Sequence, residues 1–186
     1  MSNLKTKIAW FLLITTSVMA VSCHSPKAEP ITLQTLDSNA SGAQKASIAT
    51  PEVSFTDETG KEIKLNTLKG KVLFINFWAT WCGPCIREMP SIHALKQSFR
   101  DNKDLLFIMV DIDGTLEKSK KFMNKNKYDL PVYIPHSPIP TNFFSNAVPT
   151  TVIINKKGEL VEQMVGGRDY VAPEIKELLH KLLQSQ

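Results

Sequence analysis

Two cysteines separated by two residues form the most reactive arrangement in this sequence, within Trp81-Cys82-Gly83-Pro84-Cys85. A long apolar segment precedes them and a helical pattern comes after them, a setting typical of a redox motif. At a helix N-terminus the dipole and the free amide groups favour a thiolate, so we predict a lowered pKa for Cys82. Cys82 would then attack a disulfide, and Cys85 would resolve the resulting mixed disulfide and release the product.

A cysteine pair has two other common uses, in zinc sites and in structural disulfides. Structural zinc needs four ligands, usually from a second cysteine pair or from histidines at suitable spacing. The sequence has no second pair, and its four histidines show no such spacing, so we predict no metal site. A purely structural disulfide is the remaining alternative, but Gly83-Pro84 within an exposed turn after Trp81 favours a redox-active pair.

The elements that position this pair are predicted from the hydrophobic periodicity. Alternation over residues 53–65 predicts a hairpin, and buried strands are predicted over residues 72–78 and 105–112. Two further strands are predicted over residues 151–154 and 160–165. Helices are predicted over residues 86–99, 115–126 and 175–183, with Pro90 inside the first and Thr115 capping the second. The proline-rich stretch 131–149 is predicted to hold one short helix near residues 142–145. This order predicts a single α/β domain, a mixed sheet flanked by helices.

The N-terminal residues have the pattern of an export signal. Lys5 and Lys7 precede an apolar run over residues 8–21, which is short for a spanning helix. The segment Ala20-Val21-Ser22-Cys23 resembles a bacterial lipoprotein signal, in which the cysteine is acylated. We therefore predict a signal peptide over residues 1–22 with lipidation of Cys23, the alternative being an ordinary cleaved signal or an uncleaved anchor.

Residues 23–50 differ in composition from the rest of the chain. They are rich in Ser, Ala, Thr, Gln and Pro and contain no aromatic residue, which predicts a flexible tether. The folded domain is predicted over residues 51–186. The expected location is the bacterial cell envelope, extracytoplasmic and periplasm-facing, with a lipid anchor holding the domain at a membrane.

The charge balance excludes one class of function. The 186 residues carry 22 Lys and Arg against 18 Asp and Glu, a net charge of +4. Two of the lysines lie within the predicted signal, so the remainder carries only about +2. An electrostatic nucleic-acid binder would be far more basic, and we predict no nucleic-acid partner.

Several motifs together resemble one family. The segment from Phe77 to Cys85 resembles the thioredoxin active site, and Pro90 stands where thioredoxins carry a helix-kinking proline. Val148-Pro149-Thr150 resembles their cis-proline loop, and Val165-Gly166-Gly167 their glycine loop. The hairpin, Glu88-Met89-Pro90 and the signal are more narrowly similar to membrane-anchored thiol–disulfide oxidoreductases related to cytochrome c maturation proteins, often grouped with the redoxins. The resemblance spans residues 52–184 and implies a thioredoxin-like fold with an extra N-terminal hairpin.

The resemblance also implies a substrate groove. A cis Pro149 would place the Val148 backbone beside Cys82, ready to pair with an extended protein segment. Trp81, Val148 and Gly166 would then border that groove. The implied substrates are proteins with disulfides, and no cofactor is implied.

One position departs from the thioredoxin pattern. Cytoplasmic thioredoxins carry a buried Asp six residues before the first cysteine, where this chain has Asn76. An amide cannot accept the proton of the resolving thiol. Glu88 lies about one helical turn after Cys85, and we hypothesise that it takes this role with a pKa raised by burial. The alternative is a solvent-facing glutamate.

These observations predict a protein-disulfide oxidoreductase. Gly-Pro between the cysteines is more similar to reducing thioredoxins than to strong oxidants, which favours a reductant supplied by a membrane electron donor. Apocytochrome c is the substrate that the family suggests. The alternatives are a redoxin-type peroxidase with antioxidant activity, for which only Thr80 matches the expected surroundings, and a non-catalytic copper-delivery module, whose cysteine spacing is one residue longer.

Overall fold

A computed structural model of the chain describes residues 48–49 and 52–185. All of them belong to one compact unit, Gln44–Gln186. The predicted signal peptide, the predicted acylation site Cys23 and most of the predicted tether lie outside the described residues. No helix within the described part of the chain is long and apolar enough to cross a membrane.

Eight strands form one mixed sheet in the described residues, in the order β1-β8-β7-β4-β5-β6-β2-β3. Their bounds are β1 Ile48–Ala49, β2 Ser54–Asp57, β3 Glu62–Lys64, β4 Val72–Trp78, β5 Leu105–Asp111, β6 Val132–Pro135, β7 Thr150–Ile154 and β8 Glu159–Val165. Strands β4, β5 and β6 are parallel neighbours, and every other pair is antiparallel. The predicted mixed sheet with an additional N-terminal hairpin, β2–β3, is confirmed.

Three α-helices in the described part of the chain cover one face of this sheet. They are α1 Gly83–Ser98, α2 Leu116–Asn126 and α3 Pro173–Gln184. Their buried residues, such as Met89, Met123 and Leu179, join Phe74 and Trp78 of β4 in one apolar cluster. Alternate side chains of a strand point to opposite faces, so all seven residues of β4 are buried between two layers.

The opposite face is covered mainly by loop residues, and Phe55 of the hairpin joins the apolar cluster on that face. Phe143 and Phe144 pack with Phe77 of β4, and the Phe77 and Phe144 rings are stacked with centroids 4.6 Å apart. A 3-10 helix, Leu65–Leu68, adds Leu65 to the same cluster. Burial of β4 on both faces fixes the strand that leads directly into the cysteine motif.

The proline-rich stretch differs from the prediction in two ways. The stretch contains strand β6, which was not predicted, because it is short and only Val132 in it is fully buried, so the sequence shows no clear alternation. A hydrogen-bonded turn replaces the short helix expected near residues 142–145. The amides of Phe143 and Phe144 both donate to the carbonyl of Pro140, which directs the two rings into the core.

The predicted cap of the second helix was also wrong in detail. Thr115 occupies the N-cap position of α2, but its side chain makes no capping hydrogen bond. Its hydroxyl instead contacts the Asp113 carbonyl over 3.4 Å. The turn before α2 is therefore organised by Asp111 and Asp113 rather than by the threonine.

The sheet register brings the predicted functional segments to one edge. Phe77 near the end of β4 faces Thr150, the first residue of β7, and Thr150 also faces Val165, the last residue of β8. In the parallel pair, Trp78 faces Asp111 at the end of β5. The loops that follow β4, precede β7 and follow β8 consequently meet above the N-terminus of α1.

Candidate active site

Cys82 and Cys85 form a disulfide at the N-terminus of α1. Their Cα atoms lie 5.2 Å apart. Cys82 is the N-cap residue, and its sulfur accepts a hydrogen bond from the backbone N–H of Cys85 over 3.2 Å. An amide donor and the positive end of the helix dipole both favour negative charge on this sulfur.

The two sulfurs differ in their surroundings. Cys82 retains 4% of its surface in solvent, whereas Cys85 is fully buried within the first helical turn. Pro84 occupies the first turn of α1, where a missing N–H costs nothing. Gly83 and Pro84 are both exposed and lie between the cysteines along the chain. An incoming group would therefore meet Cys82 first.

The three other segments of the predicted groove lie around the pair. The Val148–Pro149 peptide bond is cis, and the Pro149 carbonyl accepts from the N–H of Gly166 over 2.8 Å. Gly166 has φ +88°, a left-handed conformation that favours glycine. Trp81 exposes 65% of its surface. The family resemblance predicted that these residues border one groove. In the structure, the register of β4, β7 and β8 brings them to the same edge of the sheet.

Glu88 lies inside the fold, one turn along α1 from Cys85. It is only 3% exposed, and its Oε1 accepts from Nδ2 of Asn76 over 2.8 Å. The same Asn76 amide donates to Oγ1 of Thr151 over 2.9 Å, and that hydroxyl shares a 2.6 Å hydrogen bond with Tyr170. The carboxyl thus ends a buried polar chain that joins α1, β4, β7 and the segment after β8.

Burial sets the protonation of this carboxyl. Loss of water raises the pKa of Glu88 from 4.5 to about 7, although the Asn76 amide, the Arg168 backbone N–H and the Arg168 charge all favour the ionised form. Burial, and next the charge of Glu88, also raise the pKa of Tyr170, which therefore stays protonated. A carboxyl with a pKa near 7 can both accept and return a proton at neutral pH.

The segment after β8 packs directly against this part of α1. The Arg168 N–H lies 3.3 Å from Oε2 of Glu88, and the Tyr170 N–H donates to Oγ of Ser91 over 3.1 Å. A Cβ at Gly167 would lie 3.4 Å from the Pro84 carbonyl and 3.7 Å from Oε2 of Glu88. These are ordinary van der Waals distances, so a small side chain at this position would still fit between the two segments.

An open cavity of about 530 Å³ lies beside this contact. Its lining comes from α1 and from the segment after β8, namely Pro84, Arg87, Glu88, Pro90, Ser91, Gly167, Arg168 and Asp169. The Glu88 carboxyl therefore borders this surface depression on one side and the buried Asn76 amide on the other. Within residues 48–49 and 52–185, no group of three or more His, Cys, Asp or Glu side chains is placed to hold a metal ion.

Sequence reasoning missed three partners at this site. Thr151 and Tyr170 carried no sequence signal of a role at the site, and their contacts join residues far apart in the chain. Asp113 is the third of these partners, and its Oδ2 accepts from the indole Nε1 of Trp81 over 2.7 Å.

Comparison with known proteins shows what this arrangement resembles. The Redoxin family model matches residues 44–179. The thiol-disulfide oxidoreductase ResA of Bacillus thuringiensis (strain Al Hakam) is 38% identical over 117 residues, which cover 62% of this chain and 67% of that protein.

Solved structures give the same result for the fold. A thiol-disulfide oxidoreductase from Bacteroides vulgatus, described as putative by its crystallographers, matches with a TM-score of 0.62 and 28% identity, over 73% of this chain and 94% of that one. The exposed lipoprotein thioredoxin Etrx1 of Streptococcus pneumoniae matches with a TM-score of 0.56 and 25% identity, over 69% of this chain and 98% of that one. With the cysteine pair closed at the N-terminus of α1, these matches show that the chain belongs to the redoxin family and is a thiol–disulfide oxidoreductase of thioredoxin-like fold.

Proposed function

We propose that this protein reduces disulfides in other proteins of the cell envelope, with Cys82 as nucleophile and Cys85 as resolving thiol. One observation carries the two roles: the Cys82 sulfur caps α1 and accepts the Cys85 N–H, while Cys85 is fully buried behind it. The direction of electron flow is inferred from Gly83-Pro84, which is more similar to reducing thioredoxins than to strong oxidants. The helix N-terminus favours the Cys82 thiolate, and burial directs Cys85 towards its neighbour rather than towards a substrate.

The reaction balances in two steps. The Cys82 thiolate attacks one sulfur of the substrate disulfide, and the other substrate sulfur leaves as a thiolate. The Cys85 thiolate then attacks the Cys82 sulfur, which forms the Cys82–Cys85 disulfide and releases the second substrate thiolate. The substrate gains two electrons. A dithiol donor at the membrane must return them before the next turnover, because the compartment is oxidising.

Glu88 is proposed to accept the proton of the Cys85 thiol in the second step. Its carboxyl is buried one turn along α1, and its pKa of about 7 leaves it partly ionised at neutral pH. Asn76 stands where the resemblance to cytoplasmic thioredoxins would place an aspartate, and its side-chain amide donates to Glu88. Its amide would stabilise the carboxylate that receives the proton.

The substrate would lie along the groove between Trp81 and the segments at residues 148–149 and 166. An extended polypeptide could pair with the Val148 backbone by strand addition, which brings its cysteine to Cys82. The groove recognises backbone and neighbouring side chains rather than one sequence. Apocytochrome c is therefore one candidate substrate among the disulfide-containing proteins of the envelope.

The same proposal includes the N-terminal organisation. A signal over residues 1–22, acylation at Cys23 and a tether over residues 23–50 would hold a domain of residues 51–186 outside the cytoplasm. Lysines before a short apolar run that ends in Ala20-Val21-Ser22-Cys23 support it, as does the likeness to a lipoprotein thioredoxin of Streptococcus pneumoniae. Within this predicted tether, Ile48–Ala49 pair with β8 as strand β1.

The redox potential of the Cys82–Cys85 pair tests the direction of electron flow. Equilibration of the protein with glutathione or dithiothreitol buffers should give a reducing value near that of thioredoxins, about −270 mV. A value near about −120 mV, which is typical of strong oxidants, would overturn the assignment as a reductant. Reduction of a disulfide peptide by the pre-reduced protein should accompany the low potential.

A further inference from the structure

The indole of Trp81 is the most exposed large apolar side chain in the described residues, and it directly precedes Cys82. An exposed side chain of this kind ordinarily samples several rotamers. Here the indole N–H donates to Oδ2 of Asp113 over 2.7 Å. A charged acceptor at this distance makes a strong hydrogen bond, so one orientation of the ring is selected.

Asp113 is itself held by a buried carboxylate. Its backbone N–H donates to Oδ1 of Asp111 over 2.9 Å, and Asp111 is only 1% exposed at the end of β5. The second oxygen of Asp111 accepts from the hydroxyl of Ser119, a fully buried residue of α2. Both carboxylate oxygens of Asp111 are therefore used to fix the turn that carries Asp113.

This turn is also tied to the strand that leads to the cysteines. The N–H of Ile112 donates to the carbonyl of Trp78 over 3.0 Å, and Asp111 faces Trp78 in the β4–β5 register. The support of Trp81 thus begins on the same two strands that position Cys82. Rigid support of a residue at the edge of a site is the arrangement expected of a group that orients a substrate.

We propose that Asp113 is a positioning residue that sets the orientation of Trp81 and so selects disulfides embedded in polypeptide over small disulfides. The fixed indole presents one apolar face to the residues that flank a substrate cysteine. A small disulfide reaches Cys82 without touching that face. The inference rests on the proposed function, since it concerns how the same site chooses its substrate.

The test compares two disulfides, a cyclic disulfide peptide and bis(2-hydroxyethyl) disulfide, each reduced by the pre-reduced full chain. Loss of one hydrogen bond in Asp113→Ala should slow the peptide reaction about three- to tenfold. The rate with the small disulfide and the redox potential of the cysteine pair should not change. Asp113→Asn keeps an oxygen that can accept the indole N–H, and it should restore the peptide rate.

A double-mutant cycle shows whether Asp113 acts through the indole. Trp81→Phe removes the N–H donor, so adding Asp113→Ala to it should cause no further loss. Asp101→Ala, at an exposed aspartate beyond the C-terminal end of α1, is the matched control and should behave as the wild type.

The outcomes separate this inference from the proposed function. A wild-type protein that reduces neither disulfide would refute the proposed function itself. The positioning role alone would be refuted if the wild type reduces the peptide and Asp113→Ala reduces both disulfides at the wild-type rates. It would also be refuted if Asp113→Ala slows both reactions by the same factor. A full Asp113→Ala effect in the Trp81→Phe background would show that Asp113 acts by some route other than the indole.

Discussion

The buried carboxyl of Glu88 makes the stability of this protein depend on pH, and Glu88→Gln isolates the effect. In the folded protein the pKa of Glu88 is about 7, against 4.5 for a solvated glutamate. Each unit of difference corresponds to about 1.4 kcal/mol, so the gap of roughly 2.5 units represents about 3 kcal/mol.

The sign of the effect is set by the raised pKa. Folding stabilises the protonated carboxyl, so this contribution to stability is complete below pH 4.5 and is lost as the pH rises through 7. We expect the free energy of unfolding of the oxidised wild type to fall by about 3 kcal/mol between pH 4.5 and pH 8 relative to Glu88→Gln. The glutamine cannot ionise and still offers Oε1 to Asn76.

Urea unfolding of the oxidised full chain at several pH values measures this difference. The relevant quantity is the slope of the free energy of unfolding against pH. The glutamine N–H₂ would face the Arg168 N–H, and this contact between two donors would lower stability by the same amount at every pH. Glu117→Gln, at an exposed glutamate in the first turn of α2, is the control and should leave the slope unchanged. Parallel curves for wild type and Glu88→Gln would refute a neutral buried carboxyl.

Three further changes test the site. Cys85→Ser should accumulate a mixed disulfide between Cys82 and a disulfide peptide, visible by mass spectrometry, because the resolving thiol is gone; release at the wild-type rate would contradict the assigned roles. In Glu88→Gln, with both cysteines present, the rate of the resolving step should no longer change near pH 7 when it is measured from pH 5 to 9. A pH profile identical to that of the wild type would exclude Glu88 as the proton acceptor. Gly166→Ala should lower the free energy of unfolding by about 1 kcal/mol, since alanine at φ +88° is strained although the space is open; thermal unfolding would measure it, and unchanged stability would argue against this backbone conformation.

The cysteine spacing and the apolar strand before it specified much of the chemistry. Two cysteines at the start of a helix, after a strand that is buried on both faces, predict a thiolate at the first and a resolving thiol at the second. These are local properties of neighbouring residues, and periodicity is sufficient to place them. The same reasoning failed for β6, because that strand is defined by its pairing with β5 and β2 rather than by a pattern of its own.

The surroundings of Glu88 and Trp81 depend on contacts between distant elements. Helical spacing placed Glu88 one turn after Cys85, but only its contacts with Asn76 and Arg168, which lie on other elements, show that it is buried and hydrogen-bonded. Likewise, nothing in the local sequence indicates that Asp113 meets the indole of Trp81, 32 residues earlier in the chain.

The redox pair and most of the strands and helices that carry it could therefore be predicted from the amino-acid sequence, since they depend on local spacing and periodicity. The distant polar groups that complete the site became visible only in the folded chain. Desolvation and hydrogen bonding depend on what other strands and loops bring to the same place, and no local pattern in the chain specifies that.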